Sequence, residues 1–127
     1  MILNTEEIPY YLIKLNDIEI EPKEIEYKKL FNGSISVLLS LHRKEDRILI
    51  NSIPINQSFN IDIYVVDEQE LLRCDSYKVM NKNMSNKFSI KYSLFVIDHK
   101  IVYNFKNQQE LIDTIMVKSI RRNESKN

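Results

Sequence analysis

The sequence is poor in the residues that nucleotide-binding sites and disulfide-stabilised folds require. Its 127 residues include one Gly, one Cys, three Pro and neither Trp nor Ala. A single Gly excludes Gly-rich phosphate loops and dinucleotide-binding fingerprints, which need several glycines at fixed spacing. A single Cys, Cys74, excludes an intrachain disulfide and is typical of a reducing compartment, where a lone thiol is usually a small packed residue.

Targeting and membrane-spanning patterns are also missing. Glu6 and Glu7 occupy the region where a secretory signal would carry positive charge before an apolar run. The longest apolar run, Leu94–Ile97, is far shorter than the roughly 18 residues of a transmembrane helix. We therefore expect no signal-directed secretion, no membrane partner and a cytoplasmic location, or a virion if the chain is phage-encoded. The length predicts one β-rich domain over residues 1–122, followed by a flexible tail over residues 123–127.

Charge is balanced in total and unequal along the chain. The 18 basic and 18 acidic side chains cancel, but residues 1–26 carry a net charge of −5 and residues 76–127 carry +6. A neutral chain is a poor nucleic-acid coat, because such binding depends on neutralising phosphates. The two oppositely charged ends could pair within the fold, or they could attract neighbouring copies head to tail.

Alternation of apolar and polar residues is the main structural signal. Over residues 85–97 apolar side chains recur at every second position, which predicts a strand with one buried face. That face comprises Phe88, Ile90, Tyr92, Leu94 and Val96. Phe95 and Ile97 make the opposite face apolar as well, which predicts a covered surface or an interface there. A turn at residues 98–100 and a further strand at residues 101–105 are expected next.

Two short polar pairs predict β-hairpins. Asn-Gly at residues 32–33 separates alternating runs at residues 24–31 and 34–42, and Asn-Gly readily supplies the positive φ of a two-residue turn. Asn-Asp at residues 16–17 predicts a second hairpin. Its strands are expected at residues 10–15 and 18–20. Further strands are predicted at residues 47–53, 59–66 and 71–79, with turns at residues 43–46 and 67–69.

The last element has the pattern of a helix. Asn107 suits an N-cap with Glu110 three residues later, and apolar residues between positions 111 and 120 cover one broad face. We expect a helix over residues 107–122, with a strand as the alternative. The chain is therefore predicted to be mainly β, a single antiparallel β-barrel or β-sandwich of about seven to nine strands with one C-terminal α-helix.

Residues that could support catalysis or bind a metal are few and scattered. His42 and His99 are the only histidines, and neither has a partner at the spacing of a zinc site. We expect no cofactor, no metal and no enzymatic activity. Glu26 and Lys28 have the Glu-x-Lys form of a large nuclease superfamily, with Asp17 upstream. A metal-dependent nuclease therefore stays open as an alternative.

Basic and aromatic residues are interleaved between Lys78 and Lys106, as in proteins that bind single-stranded nucleic acid. Phe88 and Tyr92 share the predicted core face, however, and Lys91 lies on the other face. Stacking platforms and positive charge are therefore not presented together. Nucleic acid is not an expected partner.

Several residues are candidates for contacts with other proteins. Seven tyrosines are a modest indication of interfaces, because Tyr is enriched at protein–protein contacts. The candidate interface residues are Tyr10, Tyr11, Phe95, Ile97, Arg121 and Arg122. The last two begin a short basic tail that would suit an acidic neighbour.

The order of elements, many strands followed by one helix, resembles that of phage tail and baseplate components and of pleckstrin-homology-like barrels. The excess of Ile, Asn and Lys is typical of a low-GC genome. The first hypothesis is a non-enzymatic structural or assembly protein, in one version a phage component, that forms homo-oligomers or binds assembly partners. The alternatives are a small monomeric β-barrel binding module, including an inhibitor of a host or rival protein, and the nuclease.

Overall fold

The computed structural model describes residues 2–4, 10–67, 70–82, 90–103, 109–110, 112–115 and 117. These residues are mainly β, as predicted. The elements are β1 (Ile2–Asn4), β2 (Tyr10–Leu15), β3 (Ile18–Ile20), β4 (Glu24–Lys29), β5 (Ile35–Ser40), α1 (Lys44–Asn51), β6 (Ser58–Asp67), β7 (Glu70–Asn81) and β8 (Lys91–Val102).

The eight strands form one antiparallel sheet in the order β1-β4-β5-β8-β7-β6-β2-β3. Among the described residues β1 and β3 pair on one side only, so the sheet is not closed into a barrel. Edge strand β3 and the next strand in the chain, β4, lie near opposite ends of this order, yet residues 21–23 alone connect them. Such a connection spans at most about 14 Å. The sheet must therefore curl, and it encloses an interior on its concave face.

Both predicted hairpins are confirmed. Asn16 and Asp17 have φ of 46° and 68°, the conformation of a two-residue turn whose twist suits the paired strands. The turn joins β2 to β3 and pairs Leu15 with Ile18. A side chain also anchors the turn, because the Asn60 backbone N–H donates to Asn16 Oδ1 over 2.9 Å.

The hairpin at Gly33 differs from the prediction in its loop length. Leu30 N–H donates to Ser34 O over 2.8 Å, so three residues form the loop rather than two. Gly33 has a φ of 82°, whereas Asn32 has no positive φ. A turn followed by one left-handed glycine is the usual geometry of a three-residue hairpin loop.

Helix α1 contradicts the predicted turn at residues 43–46 and strand at residues 47–53. Asp46 and Ile50 are the buried residues of this helix, and their spacing of four residues places both on one helical face. Short apolar runs are compatible with a strand or a helix, and packing decides between them. The fold therefore contains this helix in addition to the predicted C-terminal one.

Asp46 fixes α1 to the sheet. Its buried carboxylate accepts from the Glu21 backbone N–H over 3.0 Å and from Arg43 Nε and Nη2 over 3.0 and 2.7 Å. Arg43 also lies 3.4 Å from the Glu21 carboxylate, and the pKa of its guanidinium is raised, chiefly by the hydrogen bond to Asp46. These bonds tie the first turn of α1 to the connection between β3 and β4.

Strand β8 is continuous through the predicted turn at residues 98–100, so that prediction is wrong. Lys78 pairs with Asp98 whereas Val79 pairs with Val96, so Ile97 is an extra residue in the ladder. This β-bulge switches which positions of β8 face the interior, from even-numbered before it to odd-numbered after it, because β8 has one residue more than β7 at this point of the ladder. Residues 85–89 of the predicted strand, and residues 104–105 of the next, lie outside the described residues.

The remaining predicted strands and the C-terminal helix agree with the structure where it describes them, except that Asp67 belongs to β6 rather than to a turn and Ile90, predicted on a buried strand face, is 45 % exposed. The strands predicted at residues 59–66 and 71–79 correspond to β6 and β7, which are longer. Residues 109–110, 112–115 and 117 are helical, as the predicted C-terminal helix requires. Ile112 and Ile115 are buried within it. The rest of that prediction, and the tail at residues 123–127, lie outside the described ranges.

The interior of the curled sheet has two ends, which we call the closed end and the cleft. At the closed end α1 covers apolar side chains, and the chain after it is fixed by an Asn81 Nδ2 donation to Ile53 O over 2.8 Å. The most deeply buried residues there are Leu15, Ile20, Ile25, Leu39, Leu41, Ile50, Ile61, Val79 and Leu94. The opposite end carries no such cover among the described residues and opens as a cleft.

Candidate functional site

The cleft has a volume of about 680 Å³ and is bounded by six strands and the residue after β8. Its walls consist of four tyrosines and four aliphatic residues around three ionisable side chains, Arg73, Asp75 and His99. The tyrosines and aliphatic residues are Tyr11, Tyr27, Tyr77, Tyr103, Ile35, Ile63, Val65 and Ile101. A volume of this size falls within the range of about 300–1,000 Å³ that is usual for small-molecule sites.

The strand ladder places the ionisable residues together. Arg73, Asp75 and Tyr77 alternate along β7, so their side chains share the concave face. His99 of β8 pairs directly with Tyr77 in the sheet register. The bulge at Ile97 precedes His99 and brings odd-numbered positions of β8 to this face, whereas the even-numbered Leu94 faces the core earlier in the strand.

Asp75 is the centre of the polar group. Its Oδ1 lies 3.0 Å from His99 Nε2, and its Oδ2 lies 3.0 Å from Arg73 Nε. The Asp75 side chain is 9 % exposed, compared with 49 % for Arg73 and 34 % for His99. A buried carboxylate thus holds two more exposed nitrogen-bearing side chains in fixed positions at the wall of the cleft.

Aromatic rings extend this arrangement across the cleft. The Tyr77 and His99 rings are stacked, with centroids 4.2 Å apart and planes within 3°. Tyr27 lies on the other side, with its ring centroid 5.3 Å from that of Tyr77. Burial raises the pKa of Tyr27, and its hydrogen bond to Tyr77 raises it further; burial also raises the pKa of Tyr77. Both phenols are therefore neutral hydrogen-bonding groups at physiological pH.

The cleft can accordingly bind a ligand by ring contacts, by neutral hydroxyl groups and by the Arg73 guanidinium. In the part of the chain that the structure describes, no three His, Cys, Asp or Glu side chains lie close enough to hold a metal ion. The Asp75–His99 contact fixes one ring nitrogen of the imidazole, as carboxylates commonly do for functional histidines.

The predicted interface residues are not brought together. Tyr11 lines the cleft, and Phe95 is half-buried on the opposite face of the sheet. Ile97 is the bulged residue and is 45 % exposed. Tyr10 belongs to β2, but its side chain is not among those described. Arg121 and Arg122 lie outside the described residues.

The residues of the nuclease alternative lie on different elements of the fold. Glu26 and Lys28 lie on β4, on the face opposite to Ile25 and Tyr27, which pack toward the interior. Asp17 lies in the turn after β2, at the other edge of the strand order. This geometry offers no support for a shared metal site.

Sequence reasoning overlooked Arg73 and Asp75 and treated His99 as an exposed turn residue. The available signal was the alternation of residues 73, 75 and 77, which places a base, an acid and an aromatic ring on one strand face. A strand buried on that face would normally be apolar there. His99 could not be found in this way, because the bulge that turns it inward has no distinctive sequence.

Cys74 lies on the opposite face of β7 and agrees with the prediction of a packed thiol. It is 4 % exposed and free. Burial raises the pKa of Cys74 to about 12, and burial likewise raises the pKa of its neighbour Tyr64 to about 12. A thiol held in its neutral form is a weak nucleophile. The cleft, rather than Cys74, is the candidate functional site.

No protein-family model matches this chain, and no curated protein or solved structure matches it either. Within the described ranges, no helix has the length and apolar character needed to cross a bilayer. Function is therefore inferred from the geometry of the cleft and from the exposed surface around it.

Proposed function

We propose that this protein is a non-enzymatic binding module that holds a small molecule in the cleft. The observation that supports the proposal is the buried Asp75 carboxylate, which fixes Arg73 and His99 at the wall of an aromatic cavity. Concave sites with mostly apolar walls and a few convergent polar groups are the usual form of ligand pockets. Among the alternatives raised by the sequence, this geometry favours the small binding module.

The cost of this arrangement supports a functional role. Burying a carboxylate and its partners is rarely the most stable solution, since apolar residues of similar volume often stabilise a fold as well or better. The closed end of the same interior is filled in that way, by Leu15, Leu39 and Ile61 among others. The stability of the core alone therefore does not explain the cluster of Arg73, Asp75 and His99. Clustered ionisable groups in a cleft are typical of functional sites.

A fluorescent reporter can test the proposal, because the chain contains no Trp. Tyr103 is 66 % exposed and lines the cleft, so a Tyr103→Trp protein carries its only indole there. Ile48 on α1 is 59 % exposed and lies outside the cleft, which makes Ile48→Trp the matched control. We expect ring-bearing polar fragments from a screen to change the emission of the first protein and not that of the second.

The two histidines supply a second control. His99→Gln should weaken binding of each fragment identified, because it alters a wall of the cleft, whereas His42→Gln should leave binding unchanged, because His42 is exposed elsewhere. Thermal melting of each variant verifies folding. A screen that produces no fragment selective for the Tyr103→Trp protein would contradict a small-molecule role, as would fragments insensitive to His99→Gln.

A second candidate function, structural or assembly contacts with protein partners or with further copies of the chain, is favoured by the tip of the β4–β5 hairpin. Phe31 is fully exposed there, with Leu30 and Ile35 also exposed beside it. Large apolar side chains grouped at a loop tip are typical of interaction surfaces. A phage tail or baseplate component would be one protein of this kind.

Light scattering tests the assembly candidate. Self-association through the hairpin tip predicts a mass that rises with concentration and returns to that of a monomer in Phe31→Ser. Attraction between the acidic and basic ends predicts instead that salt lowers the mass, because salt screens exposed charges. A constant monomer mass under all conditions would leave self-assembly without support and would favour the cleft-based proposal.

A further inference from the structure

Arg73 is the charged group that the cleft presents to a ligand. Its side chain is 49 % exposed, whereas that of Asp75 is 9 % exposed. The carboxylate is also engaged at both oxygens, by Arg73 Nε and by His99 Nε2, each at 3.0 Å. A ligand entering the cleft therefore meets the guanidinium before it meets the carboxylate, whose two oxygens already contact nitrogen atoms of the protein. This asymmetry favours an anionic ligand over a cationic one.

The Arg73 guanidinium is held in place while keeping donors available. Asp75 is the ion-pair partner that orients it, through Nε. Within the described residues the terminal nitrogens Nη1 and Nη2 have no partner of their own. Two parallel N–H groups of a guanidinium match the two oxygens of a carboxylate, which is why Arg is favoured for bidentate recognition of such groups.

The walls next to Arg73 suit a flat apolar body. Tyr77 and His99 already stack on each other, and Tyr27 and Tyr11 continue the aromatic wall. Aromatic pairs gain free energy beyond the area they bury when their rings are offset or tilted. Because His99 Nε2 contacts Asp75, Nδ1 is the ring nitrogen that remains to form a hydrogen bond with a polar group of the ligand.

We propose that the ligand of the cleft is a small aromatic carboxylate, with its carboxylate on the Arg73 guanidinium and its ring among the tyrosines. This inference rests on the proposed function and adds the chemical class of the ligand. The shared chemistry, a carboxylate beside an aromatic ring, also occurs at the C-terminus of a peptide that ends in Phe. The experiment below separates the free acid from the peptide.

The test compares 2-naphthoate with 2-naphthamide, its neutral counterpart of nearly the same shape, by isothermal titration calorimetry. Charge-assisted hydrogen bonds contribute about 1.5–3 kcal/mol, which corresponds to about a tenfold to hundredfold preference for the acid. Cyclohexanecarboxylate, which keeps the charge and lacks the aromatic ring, should bind more weakly than naphthoate. A short peptide ending in Phe is also titrated, once with a free C-terminal carboxylate and once with a C-terminal amide. Both forms should bind more weakly than naphthoate.

Substitutions assign the preference to one side chain. Arg73→Gln should reduce naphthoate affinity by about tenfold or more and naphthamide affinity by less, because the charge-assisted hydrogen bonds to the guanidinium are made by the acid. Arg73→Lys keeps the charge without the planar fork and should lie between the wild type and Arg73→Gln. Lys78→Gln is the matched control, since it removes an exposed positive charge from the opposite face of the same strand.

Several outcomes would overturn the inference. Equal binding of naphthoate and naphthamide, with no response to Arg73→Gln, would refute the carboxylate class while leaving a ligand-binding cleft in place. No binding of naphthoate up to about 1 mM, an affinity near −4 kcal/mol, would refute it as well. Tighter binding of the peptide acid than of naphthoate would assign the site to a protein C-terminus. Loss of the proposed function itself would appear separately, as a failed fragment screen with the Tyr103→Trp reporter.

Discussion

The closed end and the cleft are built from the same strands and differ in what covers them. Strands β6, β7 and β8 each contribute side chains to both ends. Helix α1 lies over the closed end, where the side chains facing inward are apolar and almost inaccessible. No described element covers the cleft, where the inward positions become Tyr, Arg, Asp and His. One sheet thus carries both an apolar core that stabilises the fold and a polar, aromatic cleft that is open to solvent.

Among the described residues each end contains one buried carboxylate, and the comparison between them is informative. Asp46 accepts a backbone N–H from a segment 25 positions away and pairs with a residue of its own helix turn. Asp75 instead contacts two side chains that are themselves partly exposed in the cleft. The first carboxylate joins two elements of the backbone, whereas the second organises side chains that face solvent.

The largest effect is expected from truncating the core at the closed end. Ile50→Ala should lower the free energy of unfolding by about 2–5 kcal/mol, the usual cost of removing a buried isoleucine, because Ile50 is 1 % exposed. Ile101→Ala in the cleft, where Ile101 is 44 % exposed, should cost about 0.5 kcal/mol. Urea unfolding measures both. Equal costs would mean that the cleft is part of the stabilising core.

The two carboxylates should respond differently to neutral substitution. Asp46→Asn should cost about 2–3 kcal/mol, because bonds from a guanidinium and a backbone N–H to a buried charge are weakened. Asp75→Asn should cost about 1 kcal/mol, since the exposed parts of Arg73 and His99 regain water. Its main effect should be weaker binding of 2-naphthoate. Denaturant titration and calorimetry compare the pair, and a larger stability loss for Asp75→Asn would identify it as a structural residue.

Alkaline stability should depend on the cleft. Burial raises the pKa of Tyr27 and Tyr77, whereas tyrosine in an unfolded chain ionises near pH 10. The unfolded state therefore releases these protons first, and stability falls as the pH rises above about 10. Tyr27→Phe should flatten this decline. Urea midpoints measured from about pH 8 to about pH 11 test it, with Tyr103→Phe at the exposed mouth as control; identical slopes would contradict the assignment.

The smallest effect concerns two tyrosine hydroxyls. Tyr92 at the closed end is 4 % exposed, and its hydroxyl has no hydrogen-bond partner among the described residues. Tyr92→Phe should therefore stabilise the protein, by up to about 1 kcal/mol, because it removes an unsatisfied buried group. Tyr77→Phe removes a hydroxyl bonded to Tyr27 and should destabilise it slightly. Thermal melting shows whether each variant is more or less stable than the wild type. A lower melting temperature for Tyr92→Phe would show that the Tyr92 hydroxyl is hydrogen-bonded.

Local chemistry was sufficient to predict much of the sheet. The Asn-Asp and Asn-Gly pairs identify their hairpins because positive φ is a property of one or two residues. Alternation places Tyr92 and Leu94 on the buried face, because the two-residue period of a strand is also a local property. Helix α1 could not be predicted in this way, because residues 47–53 suit either element. One of the contacts that fixes it, Asp46 with the Glu21 N–H, joins positions far apart in sequence.

The contact of Asp75 with His99 in the candidate site depended on information that no local pattern contains. Asp75 and His99 are 24 positions apart, and the register of β7 with β8 brings them together. Continued alternation from Leu94 would place His99 on the outer face. The extra residue at Ile97 reverses that assignment, and its presence is set by pairing across the sheet rather than by the identity of the residue.

The bulge at Ile97 also predicts where the length of this chain can vary. Because Ile97 has no counterpart on β7, a chain lacking this residue could keep Lys78 opposite Asp98 and Tyr77 opposite His99. The loss of one residue elsewhere in β8 would shift the pairing on one side of the gap and exchange its two faces. Ile97 is therefore the position on this strand at which evolution or engineering can shorten the polypeptide without reassigning the residues that line the cleft.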